Sequence, residues 1–133
     1  MDGVLRRLVI ARASGRCEYC RIHQDRDPFY RFHVEHIIPR QHGGSDDEAN
    51  LALACQHCNL HKGPNLSGID PDTRSIAPLF HPRQQAWAEH FAFVGTSIRG
   101  VTPVGRATVI VLAINAPIRQ ELRAELQSNK DDV

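Results

Sequence analysis

Residues 34–63 read VEHIIPRQHGGSDDEANLALACQHCNLHKG, and this stretch decides how the chain folds. It contains the second of two C-x-x-C pairs, Cys55 and Cys58, and the first pair, Cys17 and Cys20, precedes it. A turn of this spacing presents two thiolates, and two such turns supply the four soft ligands that tetrahedral zinc binds at about 2.3 Å. The paired spacing therefore predicts a closed structural zinc site.

Other uses of these cysteines agree less well with the sequence. Two disulfides are typical of secreted chains, whereas the N-terminus MDGVLRRLVI has Asp2 and two arginines around its apolar residues and does not resemble a signal peptide. A redox C-x-x-C site needs one pair rather than two. A histidine ligand, His23, in place of one cysteine is the remaining alternative.

The zinc turns enclose a segment with the pattern strand, loop, strand and helix. Residues 30–38 are rich in β-branched and aromatic side chains and predict a strand that Pro39 ends. The loop, second strand and short helix that follow are expected at residues 41–49, 50–54 and 56–62, before Gly63-Pro64.

The flanking segments predict further helices and strands. Residues 3–14 carry apolar side chains at helical spacing, and Gly15 is expected to end that helix. Thr102 and Pro103 favour the start of a helix, although the β-branched residues soon after them favour a strand. The remaining elements are expected as a loop at 63–75, a strand at 76–80, a helix at 82–91, a hairpin at 92–101, helices at 103–114 and from 117 to about 127, and a frayed tail.

Length and composition predict a single domain of the α+β class. The 133 residues are 41% hydrophobic and 23% charged, an ordinary globular composition. No apolar run approaches the roughly 18 residues of a membrane span, and a formal net charge of +1 excludes a strong overall basic field. We therefore expect one cytoplasmic, zinc-stapled domain over residues 1–133, with its core at 16–63, additional N-terminal and C-terminal helices, and an extension at 76–127.

Four residues around the zinc turns carry chemistry: Glu35, His36, Asn50 and Asn59. With the cysteine pairs they give, in order, an acid-His-Ile-x-Pro strand, a Gly-Gly loop, an Asn before an apolar strand, and a second C-x-x-C that runs into Asn and a nearby Lys. Residues 16–63 thereby resemble the HNH endonuclease family. The later stretches LFHPR and GRATV resemble, more weakly, a C-terminal segment of some members.

The resemblance implies a ββα-metal nuclease fold around one catalytic divalent metal. By similarity, His36 would be the general base that activates water for attack on a phosphodiester, and Glu35 and Asn59 would hold Mg²⁺ or Mn²⁺ against the scissile phosphate and the leaving 3′ oxygen. Asn50 would tie the loop to the strand and fix the backbone of His36. The implied substrate is DNA, expected to be double-stranded, and the products would carry a 5′ phosphate and a 3′ hydroxyl.

Elementary chemistry agrees with these roles. Histidine side chains ordinarily titrate near 6.5, so a neutral imidazole can accept a proton at pH 7. Hard divalent cations prefer oxygen ligands, which Glu35 and Asn59 both offer. Because adjacent strand residues point to opposite faces, Glu35 and His36 can serve one site only where the strand ends or bulges, and Pro39 favours an end.

Three further residues are predicted to bind the substrate: Lys62, Arg40 and His33. His33 shares a strand face with the acid of the motif. An alternative metal pair is His57 and His61, four residues apart on the predicted helix, although Asn59 occupies the position that the family uses.

Two rival classes of function remain at this stage. One is a non-catalytic, zinc-bound module that binds nucleic acid or protein, and the other is an RNA-directed nuclease. Glu35, His36 and Asn59 together favour an enzyme, because a decayed site should have lost at least one of them. A comparison of RNA and DNA substrates separates the two nucleases, and the oligomeric state stays open.

Overall fold

The computed structural model describes residues 3–27 and 31–128, and these form five α-helices and three two-stranded antiparallel sheets. The helices are α1 (Gly3–Arg12), α2 (Gln56–Lys62), α3 (Trp87–His90), α4 (Pro103–Val111) and α5 (Pro117–Ser128). The strands pair as β1 (His33–His36) with β2 (Leu51–Ala54), β3 (Ser67–Ile69) with β4 (Ile76–Pro78), and β5 (Phe91–Val94) with β6 (Ser97–Gly100). The mixed architecture confirms the predicted α+β class.

The β1–β2 hairpin and α2 form a continuous strand–strand–helix unit. β1 ends at His36, which lies opposite Leu51 of β2 in the antiparallel register, and Pro39 follows shortly after. α2 begins directly after β2 with Cys55 as its N-cap and ends at Lys62, with Gly63 (φ 49°) as its C-cap. The predicted strand, strand and short helix are thus confirmed, with β1 shorter than expected.

β2 is completely buried, with none of its four residues exposed. β1 covers one edge of β2, and residues of the preceding segment cover the other. The amide of Glu18 donates to the Leu53 carbonyl at 2.8 Å, and the Leu53 amide donates back to the Glu18 carboxylate at 2.8 Å. Arg12 donates to the Leu51 carbonyl at 2.7 Å. These bonds satisfy backbone groups that a free strand edge would leave open.

The C-terminal elements pack against the same core. The buried apolar cluster unites β2 with later residues, among them Leu51, Leu53, Phe80, Phe91, Leu112 and Ile114. The Trp87 indole donates to the Tyr19 carbonyl at 2.8 Å, and His57 Nε2 bonds the Ala113 carbonyl at 2.8 Å. Polar contacts as well as packing therefore hold the C-terminal extension to Tyr19, in the first cysteine turn, and to α2.

The helix predicted over 82–91 is wrong in its extent, because only Trp87–His90 is helical. The residues before it form a turn around His81, whose carbonyl accepts the amides of Gln84 and Gln85 at 3.1 and 2.9 Å. His81 Nδ1 also accepts the Gln84 amide at 3.2 Å. At the other end, Phe91 already belongs to β5. Local capping and strand pairing therefore shorten the helix from both sides.

The segment expected as a loop at 63–75 contains β3, which pairs with β4. Gly68, in the middle of β3, lies so close to α4 that an added Cβ would meet the Val111 side chain at 2.5 Å. A strand this short has no alternating pattern to reveal it. It forms because α4 covers it.

The β-branched residues late in α4 are helical, as the stronger start signal predicted. The Thr102 hydroxyl accepts the Gly105 amide at 3.0 Å, and Pro103 occupies the first turn. Thr108 is accommodated because its hydroxyl donates to the carbonyl one turn earlier at 2.7 Å and accepts the Phe80 amide at 2.9 Å. Capping and tertiary contacts therefore outweigh the intrinsic strand propensity of these β-branched residues.

Some expectations fall outside residues 3–27 and 31–128. They concern Asp2, the first residue of the predicted strand at 30–38, and the tail after Ser128. None of the described helices is long and apolar enough to cross a membrane.

The glycine inside α4 provides a test of this packing. Alanine is ordinarily favoured over glycine in a helix by about 1 kcal/mol, but a Cβ on Gly105 would lie 2.0 Å from the His90 carbonyl oxygen. We expect Gly105→Ala to lower the free energy of unfolding by about 1–3 kcal/mol, measured by chemical denaturation. Gly3→Ala in α1 is the control, because its Cβ would meet only the mobile end of the Arg7 side chain at 3.1 Å. Equal stability of both variants would contradict the close approach of α4 to α3.

Candidate functional site

Four cysteine sulfurs converge where the turn after α1 meets the start of α2. All four residues, Cys17, Cys20, Cys55 and Cys58, are buried, and their Sγ atoms lie within 4.8 Å of one another. The Cys20 and Cys55 sulfurs are 3.7 Å apart, which agrees with the roughly 3.8 Å edge of a tetrahedron of sulfurs about 2.3 Å from a central zinc. The four cysteines are therefore positioned to form a zinc site.

The backbone around the sulfurs also suits a metal. The Cys20 amide donates to the Cys17 sulfur at 3.4 Å, and the Cys58 amide donates to the Cys55 sulfur at 3.3 Å. Hydrogen bonds with the neighbouring cysteines, reinforced by burial, raise the pKa of the Cys58 thiol well above its ordinary value. Buried thiols packed this closely lose their protons together only when a cation balances the charge.

The end of β1 opens into a cleft of about 450 Å³. Its lining residues come from β1, the chain that follows it, and α2: Val34, Glu35, His36, Pro39, Arg40, Asn59 and Gly63. Glu35 and His36 are adjacent in the chain, and both reach the cleft because β1 ends at His36. Three of the four predicted catalytic residues, together with Arg40, therefore meet at one cleft.

Glu35 is almost completely buried, with 6% of its surface exposed. Its Oε1 accepts a hydrogen bond from the Tyr19 hydroxyl, and its Oε2 lies 3.1 Å from the Lys62 ammonium nitrogen. Burial raises the pKa of Glu35 above its ordinary value, while the Lys62 charge and the Tyr19 hydrogen bond oppose that effect. The acid of the motif thus has one internal donor at each carboxylate oxygen.

Lys62 is turned inward, with only 2% of its surface exposed. Besides the Glu35 carboxylate, its ammonium group contacts the carbonyl of Ile37, to which it donates at 2.9 Å. Lys62 is absent from the cleft lining, and its contacts connect α2 to the end of β1. The predicted contact of Lys62 with a substrate remains a prediction.

His36 contacts an aspartate that the sequence did not single out. Its Nε2 lies 2.7 Å from Asp46 Oδ1, and 18% of its side chain is exposed. Asp46 also accepts from Arg40 Nη2 at 3.0 Å. The hydrogen bond with His36, and then that with Arg40, lower the pKa of Asp46 below its ordinary value. Asp46 was predicted only as part of the loop at 41–49, and its partners become clear only when that loop folds back on β1.

Asn50 holds this loop in place. Its Oδ1 accepts the Ile38 amide at 2.9 Å, and its Nδ2 donates to the carbonyls of Ile38 and Ser45 at 3.0 and 2.8 Å. The loop lies so close to β1 that a Cβ on Gly44 would stand 1.6 Å from the Ile38 carbonyl oxygen. Asn50 and Gly44 together bring Asp46 to His36.

The cleft offers oxygen donors of the kind that hard cations prefer. Glu35 and Asn59 both line it, and each oxygen of the Glu35 carboxylate has a second lone pair besides the one used by its internal donor. This donor set fits Mg²⁺ or Mn²⁺, which are bound through one or two protein oxygens together with water and substrate phosphate.

The other predicted histidines lie elsewhere. His33 bonds the Gln56 side chain at 3.2 Å and is absent from the cleft lining. The rings of His57 and His61 lie 4.2 Å apart, but His61 Nδ1 bonds the His57 carbonyl at 2.8 Å. In the described part of the chain, the four cysteines are the only group of three or more His, Cys, Asp and Glu side chains close enough to share a metal ion.

Comparison with known proteins identifies the same segment. The sequence model of the HNH endonuclease family matches residues 17–65, a segment that includes all four cysteines and every residue that lines the cleft. The predicted resemblance to that family is thus confirmed for this segment. At the level of the family, the match supports nuclease-type activity on a nucleic acid. Searches of curated proteins and of solved structures gave no significant match.

The zinc site makes the first prediction about the metal content of the protein. Elemental analysis should find close to one zinc per chain, and Cys58→Ser should unfold or aggregate the protein. The bonds between metal and ligands contribute on the order of 10 kcal/mol to the folding of small zinc domains. His23→Ala is the control and should keep both zinc and fold. Soluble, folded protein without zinc would contradict the four-cysteine site.

Proposed function

We propose that this protein is an endonuclease that hydrolyses DNA phosphodiester bonds with one Mg²⁺ or Mn²⁺ ion in the cleft at the end of β1. The observation that carries the proposal is the meeting of Glu35, His36 and Asn59 at that cleft, within the segment that matches the HNH endonuclease family. Together these side chains provide a general base and two ligands for the cation.

His36 is the proposed general base. Its Nε2 faces the Asp46 carboxylate, and a carboxylate only accepts hydrogen bonds. Nε2 therefore carries the ring proton, and Nδ1 is the nitrogen that is free to take a proton from the attacking water. Through this hydrogen bond, Asp46 fixes the orientation of the His36 ring.

Glu35 and Asn59 are the proposed ligands of the catalytic cation. When bound, the cation stabilises negative charge on the phosphate and on the leaving 3′ oxygen. Arg40 lies at the rim of the cleft with 70% of its side chain exposed, so its guanidinium can contact a neighbouring phosphate. The products would carry a 5′ phosphate and a 3′ hydroxyl.

The remaining predicted residues have supporting roles in this proposal. Asn50 holds the loop that carries Asp46, and the four-cysteine site provides a structural zinc that fixes the start of α2. His33 is proposed to contact the substrate directly. Lys62 is proposed to act on the substrate through its contact with Glu35.

The metal requirement is the most direct test of the activity. Supercoiled plasmid should be cut in Mg²⁺ or Mn²⁺ and left intact in EDTA, with cleavage restored when the divalent ion is added back. Zinc content measured after the EDTA step shows that loss of the catalytic ion, and not loss of fold, explains the result. The same assay on RNA separates the rival nuclease, which would cut RNA in preference. DNA binding without cleavage in any divalent metal would favour the non-catalytic module.

The role of His36 makes a sharper prediction. His36→Ala should reduce the cleavage rate by about 10²- to 10⁴-fold, the usual contribution of a general base. Zinc content, melting temperature and DNA affinity should be nearly unchanged, because the side chain is partly exposed and lies outside the apolar core. His42→Ala is a matched control, since His42 is exposed and absent from the cleft lining. If His36→Ala cuts DNA as fast as the parent protein, another group is the base.

A further inference from the structure

Tyr19 is a polar side chain in a fully buried position. It lies between the zinc-turn residues Cys17 and Cys20, and none of its surface is exposed. Its ring meets Phe80 edge-on, with centroids 6.3 Å apart, and its carbonyl accepts the Trp87 indole N–H at 2.8 Å. The backbone and ring of Tyr19 are thus held both by the cysteine turn and by residues of the C-terminal extension.

That hydroxyl donates a hydrogen bond to the Oε1 atom of Glu35. An ionised carboxylate only accepts hydrogen bonds, so the phenol O–H is the donor. Lys62 contacts the other oxygen, Oε2, at 3.1 Å. One donor at each oxygen restricts rotation of the carboxylate, and the second lone pair of each oxygen remains for a further contact.

We propose that Tyr19 is a positioning residue for the catalytic cation, because its hydroxyl holds the carboxylate of Glu35, a residue that lines the cleft, in one orientation. The inference rests on the proposed function, in which Glu35 is a ligand of that cation. Carboxylate ligands in metal sites are themselves hydrogen-bonded, and the loss of such a partner typically weakens metal binding 10- to 100-fold. Tyr19 thereby links the structural zinc turn to the catalytic centre.

The test measures cation binding rather than cleavage. Calorimetric titration of the zinc-loaded protein with Mn²⁺ should show about tenfold weaker binding in Tyr19→Phe than in the parent chain. The substitution removes one oxygen atom and keeps the ring that packs on Phe80, so zinc content should not change. Trp87→Phe is the matched control, because it removes the hydrogen bond to the Tyr19 carbonyl and leaves the hydroxyl in place. Its Mn²⁺ affinity should stay within about twofold of the parent value.

A double-mutant cycle shows whether Tyr19 acts through Glu35. Glu35→Gln should itself weaken Mn²⁺ binding, and adding Tyr19→Phe to it should cause no further loss. A structural role for the tyrosine would instead give the same loss in both backgrounds, which would overturn the inference. Unchanged Mn²⁺ affinity in Tyr19→Phe would overturn it as well, while the proposed function would stand.

Two further outcomes complete the test. If the parent protein binds no Mn²⁺ that depends on Glu35, the proposed function fails and the inference fails with it. If Tyr19→Phe does not fold, 3-fluorotyrosine at position 19 keeps the hydroxyl and reports on it by fluorine NMR. Its resonance should shift on Mg²⁺ addition in the parent chain and not in Glu35→Gln. A resonance that does not move at saturating Mg²⁺ would overturn the inference.

Discussion

The close approach of four buried cysteine sulfurs is the constraint on which the rest of this structure depends. Strands of four residues are too short to form a stable hairpin unaided. The two cysteine turns provide the additional contacts that hold this hairpin in place. The first turn carries Glu18 to the edge of β2 and Tyr19 to the acid of the cleft. The second turn begins α2 and so places Asn59 and Lys62. One cluster of sulfurs thus sets the position of both walls of the cleft.

The C-terminal extension completes this arrangement. Phe80 and Trp87 pack on and bond to Tyr19, so residues outside the segment that matches the family reach the candidate active site through a single tyrosine. Farther out, the fully buried Arg123 donates to the carbonyls of Thr96 and Ile114 at 2.6 and 2.9 Å. These bonds fasten α5 to the β5–β6 hairpin and to the end of α4. The extension therefore acts as a rigid backing for the zinc-turn region.

Features that depend on short-range chemistry could be predicted from the sequence. The spacing of the cysteine pairs predicted the sulfur cluster. Pro39 predicted the end of the first strand, and Gly63 predicted the end of the short helix. Thr102 and Pro103 predicted that α4 is helical in spite of its β-branched residues. The helix expected over 82–91 was too long because the side chain of His81 closes a turn where periodicity alone predicts a helix.

The contacts around the cleft could not be predicted in the same way. Asp46 lies 10 residues from His36, and Tyr19 lies 16 residues from Glu35. Nothing in the residue types alone pairs them, because these contacts exist only after Asn50 has folded the loop and the cysteines have brought the first turn beside β1. Glu35, His36 and Asn59 of the motif do meet at the cleft. The residues that orient them, Asp46 and Tyr19, reach them only through the tertiary structure.

The electrostatic balance around Glu35 explains why such orientation matters. A buried ion pair such as Glu35–Lys62 adds little net stability, since desolvation offsets much of its attraction, but removing either partner would leave an uncompensated charge. A divalent cation that reaches Glu35 meets a carboxylate that an ammonium group already neutralises, and Asn59 adds no charge. In the proposed function, the phosphate of the substrate therefore adds to the negative charge that holds the cation, as is usual for Mg²⁺ sites with few protein carboxylates. Because the protein supplies a single acidic ligand, the orientation of that ligand decides how well protein, cation and phosphate fit together.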